Sequence, residues 1–195
     1  MDPRWKQSFT CVIAGPTGSG KTVWVTRFLN YVSEMMTPPP QEVVWCYGEW
    51  QAGYSQLKGV TFVEGLPKVE EWDTTKRRLV ILDDLMSEAD DRVTNCLPRE
   101  VTTETLVSCL LCKICLVKTK SSVPLVSTAT ILLSSRIQET HLAKQIYPGK
   151  VKYVQESYKD ATSIPHGYLL IDLRQDTPDH LRLRTSIFPS EHLQK

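Results

Sequence analysis

The chain of 195 residues lacks any apolar run near the roughly 18 residues of a membrane span. The longest candidate, Val107 to Val117, is interrupted by Lys113. It also lacks an excess of either charge: 23 Lys and Arg stand against 22 Asp and Glu, a formal net charge of +1. That balance excludes a histone-like or tail-driven nucleic-acid binder and an acidic disordered chain, though it permits a local basic groove. The opening MDPRWKQSFTCVIAG has neither the apolar length nor the small-residue cleavage site of a secretory leader. These absences lead us to expect a soluble intracellular protein of cytoplasm or nucleus, with no membrane partner and with its six cysteines as thiols. No internal repeat is present. Cys109, Cys112 and Cys115 have metal-like spacing, but no fourth cysteine at suitable spacing and no nearby histidine completes a site.

What is present fits one α/β domain over residues 1–195, large enough to bury a core without cross-links. Ser8 to Ala14 reads as a strand that ends at glycine. Thr22 to Met36 carries Val25, Phe28, Leu29 and Val32 at helical spacing and is stopped by Pro38, Pro39 and Pro40. Glu42 to Tyr47 and Val60 to Val63 are further strands. Leu79 to Leu82 is wholly apolar, as suits a parallel strand covered on both faces. Arg77 and Arg78 before it read as a solvated strand entry or as DNA-facing cations. Ser87 to Thr94 reads as a short helix. Gly167 to Leu173 and Leu181 to Phe188, joined by the Asp176 to Asp179 turn, predict a C-terminal β-hairpin. His166 precedes that hairpin as a turn residue.

Between the first strand and the first helix stands Gly15-Pro16-Thr17-Gly18-Ser19-Gly20-Lys21-Thr22, the G-x-x-x-x-G-K-[ST] phosphate loop. Glycines let the backbone curl so that successive N–H groups face an anion, and the helix behind presents its positive end to the same anion. Lys21 brings a full charge to the β- and γ-phosphates of ATP, and the Thr22 hydroxyl can ligate Mg²⁺. The second constellation is Asp83-Asp84, at the carboxyl end of the buried strand where a parallel sheet binds its ligands. Asp83 is placed as the Mg²⁺ acid, through water, and Asp84 as the acid that orients or deprotonates the attacking water. The fold expected is therefore a P-loop NTPase, a mostly parallel sheet flanked by helices, with Lys21 and Asp84 as its catalytic residues.

The loop and the acidic pair resemble those of the additional-strand P-loop ATPases. FTCVIAGPTGSGKT, the aromatic second strand leading into CYGEWQ, RRLVILDDLMSE, and DATSIPHGYLLIDLRQDTPDHLRLRTSIFP together resemble the FtsK/HerA superfamily. Within it they are similar to the poxvirus-like packaging ATPases of large DNA viruses and of Polinton/Maverick-type virus-derived elements. The resemblance covers Phe9 to Thr94 and Leu142 to Pro189. It implies ATP hydrolysis that drives double-stranded DNA into a capsid, by a homo-oligomeric ring. It maps the phosphate-loop pair onto Lys21 and Thr22, the Mg²⁺ acid onto Asp83 and the catalytic acid onto Asp84. Many relatives carry Glu at the last position, one methylene longer.

Residues 95–140 depart from that pattern. The family places there a G-S-H-H-R-N-like segment, an apolar strand ending in a sensor Gln, a second strand and an N-P-R-D-like turn. The genetic code recovers these pieces when each codon's third base is joined to the first two bases of the next. Glu100 to Thr105 then permits S-H-H-R-N, Cys112 with Lys113 gives Gln (or a stop), and Ile137 to His141 permits N-P-R-D-S. Asn95 to Thr140 thus reads as translated out of frame, from decay of an old element or from an error in the gene model, with the frame restored near Leu142. This reading makes the cysteine triplet an accident. It also predicts that the segment lacks the two family strands, and that turnover is poor because the sensor Gln and a cis or trans arginine are missing. Two rivals remain. A small P-loop kinase suits the length, but the chain has no Arg-rich lid. The other is a decayed, non-catalytic remnant that at most binds nucleotide.

Overall fold

This computed structural model describes residues 4–6, 9–16, 18–67, 72–73, 75–83, 85, 107–112, 129–133, 149–174 and 177–194. Strands are β1 (Trp5–Lys6), β2 (Thr10–Ala14), β3 (Met36–Thr37), β4 (Glu42–Tyr47), β5 (Val60–Glu64) and β6 (Arg78–Asp83). They continue with β7 (Val107–Cys112), β8 (Ala129–Leu133), β9 (Tyr168–Asp172) and β10 (Leu183–Arg184). Helices are α1 (Lys21–Asn30), α2 (Val32–Met35) and α3 (Val151–Ala161). Eight of these strands form one sheet in the order β10-β9-β8-β2-β7-β6-β4-β5. From β8 to β5 every neighbouring pair is parallel, while β9 runs antiparallel to β8 and β10 antiparallel to β9.

The strands alternate their side chains between two apolar layers, as period two requires. Cys11, Ile13, Trp45, Leu79, Ile81 and Leu170 pack with Trp24, Val25 and Phe28 of α1. Val12, Val44, Cys46, Val80 and Leu82 pack on Leu85, and Ala14, Leu169 and Ile171 pack on Val154, Tyr158 and Ala161 of α3. All six residues of β6 are buried, the signature of a parallel strand covered on both faces.

Several expectations from the sequence are adjusted. The helix over Thr22 to Met36 breaks at Tyr31, whose N–H donates to Phe28 O at 3.1 Å, and α2 stops at Met35. Met36 is extended instead because it pairs with Trp5, and Trp5 packs its ring on Phe9 and Phe28 at 4.6 and 5.5 Å. The predicted strand over Leu181 to Phe188 shrinks to β10, since Asp179–Leu181 forms a 3-10 turn and Ser186 has φ 52. The hairpin itself is present, with Leu183 opposite Ile171. Arg78 is not a solvated or DNA-facing cation. It is buried, donates Nε–H to Glu42 Oε2 at 2.6 Å, and stacks its guanidinium over Trp72 at 5.3 Å. The stretch that was expected to supply no strands supplies β7 and β8, next to β2 on either side. Its Val, Leu, Ile, Thr and Cys content suits a pleated buried surface whatever the origin of the codons. The Ser87 to Thr94 helix lies outside the described residues.

The segment after β10 closes over α1. Glu191 accepts from Arg27 Nη1 at 2.7 Å and from the Tyr168 hydroxyl at 2.8 Å, and Arg27 lies 4.5 Å from the Phe188 ring centroid. Burial pushes the Tyr168 phenol far above its ordinary value, so it remains a donor to Glu191.

At the far edge Asp172 is buried and pairs with Arg174 at 2.8 Å and Arg184 at 3.0 Å. Burial alone would raise its carboxyl, but hydrogen bonds from Arg174 and the two guanidinium charges hold it below the ordinary 3.8. A carboxyl depressed in the folded state stabilises the fold above its unfolded value and loses that contribution as pH falls through the folded one. Asp172→Asn should therefore cost about 3 kcal/mol at neutral pH, the low end for breaking a buried pair. In urea titrations the gap between wild type and variant should close below pH 3.8. A gap that persisted in acid would show that the ion pairs are not its source.

Candidate functional site

The phosphate loop leaves β2 at Ala14 and enters α1 at Lys21. Two of its glycines have left-handed backbones, Gly18 at φ 78 and Gly20 at φ 91, a region that costs an L side chain about 1–2 kcal/mol. The loop is closed by Ser19 N–H donating to Pro16 O at 3.1 Å, and the helix starts with Trp24 N–H donating to Gly20 O at 2.8 Å. The first amides of α1 accordingly have no acceptor within the helix. Gly20 offers no side-chain cap, and the first turn holds no acidic residue, so the positive helix end is left for an external anion.

The side chains fit the same reading. Lys21 Nζ donates to Gly15 O and Pro16 O, both at 2.8 Å, so the ammonium lies across the loop. Ser19 Oγ is buried and has no hydrogen-bond partner among the described residues. An orphaned buried hydroxyl inside a glycine-rich loop is what a phosphate oxygen would satisfy. Thr22 stands in the first turn of α1, half-buried. Thr17 lies outside the described residues, as does Asp84, so neither has a placement.

Asp83 ends β6, 4% exposed. The register explains its position: Cys112 of β7 has Ile13 of β2 on one side and Asp83 on the other. The phosphate loop and Asp83 thus emerge at the same edge of the sheet, separated by two strand spacings, roughly 10 Å. Thr22 and Asp83 offer hydroxyl and carboxylate oxygens, the hard donors that Mg²⁺ takes. Asp83 is further held by Tyr54, whose hydroxyl donates to Oδ2 at 2.8 Å. Nothing in the sequence marked Tyr54, which sits in a short 3-10 turn, Ala52–Gln56. His166 lies in a turn. It is exposed, has φ 60, and a Cβ on Gly20 would lie 3.5 Å from its Nδ1.

The sequence matches no family model and no curated protein. Solved structures do match. The DNA-packaging ATPase B204 of Sulfolobus turreted icosahedral virus aligns with TM-score 0.58 and 12% identity, over 95% of this chain and 98% of B204. The chain shares the fold of that structure. The genome-packaging NTPase B204 of Sulfolobus turreted icosahedral virus 2 aligns similarly. Its sulfate complex gives TM-score 0.57 at 12% identity, over 95% of this chain and 96% of that one. Its ATPγS complex gives 0.56 at 11% identity, over 95% and 97%. No helix among the described residues is long and apolar enough to cross a membrane.

Lys21→Ala removes the ammonium that spans the loop and should weaken nucleotide binding by about 2–5 kcal/mol, as truncating one member of a buried charge pair does. Equal affinity of variant and wild type for labelled ATP would refute the site.

Proposed function

We propose that the chain is a Mg²⁺-dependent ATP-binding NTPase of the packaging type, acting on double-stranded DNA as a homo-oligomeric ring. The carrying observation is the phosphate loop, open-ended at α1 and holding an orphaned Ser19 hydroxyl, on the same sheet edge as Asp83. The fold shared with B204, one of whose structures holds ATPγS, is consistent with it. Gly15 to Thr22 would wrap the phosphates with backbone N–H groups, and Lys21 would move from the Gly15 and Pro16 carbonyls to the β- and γ-phosphate oxygens. Thr22 and Asp83 would hold Mg²⁺, which when bound neutralises charge on the β- and γ-phosphates. Asp84 would orient the attacking water as the catalytic acid of the FtsK/HerA resemblance.

The out-of-frame reading of 95–140 belongs to the same proposal. The family's sensor Gln falls at the Cys112–Lys113 junction in the alternative frame, and the backbone of Cys112 runs between Ile13 and Asp83. A Gln at that junction would stand between the phosphate loop and the metal acid. The chain as it stands has no such amide there, which supports a weakly active or purely nucleotide-binding remnant as the second reading. Among the described residues, Arg27, Arg78, Arg174 and Arg184 are committed to structural pairs and supply no lid for the small-kinase alternative.

Two measurements test this. Asp83→Asn should abolish Mg²⁺-dependent phosphate release while leaving metal-free nucleotide affinity within about threefold, because the backbone cradle holds phosphates by itself. Loss of both together would make Asp83 structural. A version with 95–140 restored to the alternative frame should hydrolyse ATP faster than the present chain when double-stranded DNA is added. An arginine returned to the γ-phosphate alone can be worth about 10³ or more. Robust, equal turnover by the unrestored chain would overturn the frame reading.

A further inference from the structure

Tyr54 reaches Asp83 from outside the sheet. β4 ends at Tyr47, the chain turns, and the 3-10 segment Ala52–Gln56 lays Tyr54 back over the strand ends. Its ring is 1% exposed and is caught between aromatic neighbours: Trp45 at 5.0 Å, Phe62 at 5.3 Å in a near-parallel stack, Trp50 at 5.4 Å and Tyr47 at 5.8 Å. A ring so confined cannot change rotamer without disturbing several others, so its hydroxyl is held at a fixed point. That point is 2.8 Å from Asp83 Oδ2, inside the buried end of β6.

From this geometry we infer that Tyr54 is a positioning residue for the metal acid: its hydroxyl sets the plane of the Asp83 carboxylate and so tunes how well Asp83 holds Mg²⁺. The inference rests on the proposed role of Asp83. A buried carboxylate gains a charge-assisted hydrogen bond from the phenol, which fixes one oxygen and with it the direction of the other. Partners of this kind typically change metal affinity or activity by about 10–100-fold when removed. The aromatic packing explains why a tyrosine does this: the ring supplies rigidity and the hydroxyl supplies the bond. A purely structural role would tie the 3-10 segment to the sheet and would leave metal dependence untouched.

The test uses the full chain, ATPγS as ligand and Mg²⁺ as the titrated probe, with calorimetry as readout and no turnover required. Tyr54→Phe keeps the ring and deletes only the hydroxyl. It should raise the Mg²⁺ concentration at half-saturation by about 10–100-fold, while affinity for ATPγS in chelator stays within about threefold of wild type. Asp83→Asn run beside it separates the two levels of inference. If Asp83→Asn shifts the Mg²⁺ midpoint and Tyr54→Phe does not, the positioning role is wrong and the metal acid stands. If neither variant shifts it, the assignment of Asp83 fails and the role of Tyr54 fails with it. A Tyr54→Phe chain that loses affinity equally with and without Mg²⁺ makes Tyr54 a packing residue and overturns the inference.

Discussion

The parallel hydrogen-bond ladder from β2 through β7 to β6 is the constraint on which the rest depends. Parallel strands all deliver their carboxyl ends to one edge, so the loop after Ala14 and the carboxylate of Asp83 face the same solvent. Were β7 paired antiparallel with its neighbours, the outward turns would alternate between edges. The phosphate loop and the acid would also be separated if another strand intervened. The covering helices follow from the same arrangement. A parallel strand needs a crossover connection, and α1 and α3 occupy opposite faces of the sheet and bury both.

A sheet buried on both faces allows charge only where strands end, and the buried charges Arg78, Asp83 and Asp172 each have a partner there. At the amino end of β6, Arg78 pairs with Glu42 of the adjacent strand at 2.6 Å. At the end of β9, Asp172 pairs with Arg174 and Arg184. At the carboxyl end of β6, Asp83 accepts a hydrogen bond from the Tyr54 phenol.

Local chemistry made much of this legible. The run LVIL is apolar at every position, as suits a strand covered on both faces, and β6 is that strand. EVVWCY became β4 with its predicted bounds. The glycine spacing of the phosphate loop could be read because Gly18 and Gly20 answer a backbone need, φ values of 78 and 91 that other residues resist. The helix after it was read too long, because its end is decided by Met36 pairing with Trp5, a contact between distant parts of the chain. Residues 107–112 and 129–133 gave no clear period, since a short apolar run carries no signal that separates strand from helix until neighbours on both sides supply a ladder.

The amino-acid sequence by itself determined the glycine-rich loop, the buried strand and the acid at its tip, since each is written in residues next to one another. The tertiary structure alone decided that β7 separates the two halves of the site, that Arg78 is a buried tie, that His166 abuts Gly20, and that Tyr54 grips Asp83. Those pairings join residues far apart in the chain. No local propensity encodes them; they exist only once strand order and register have chosen which side chains meet.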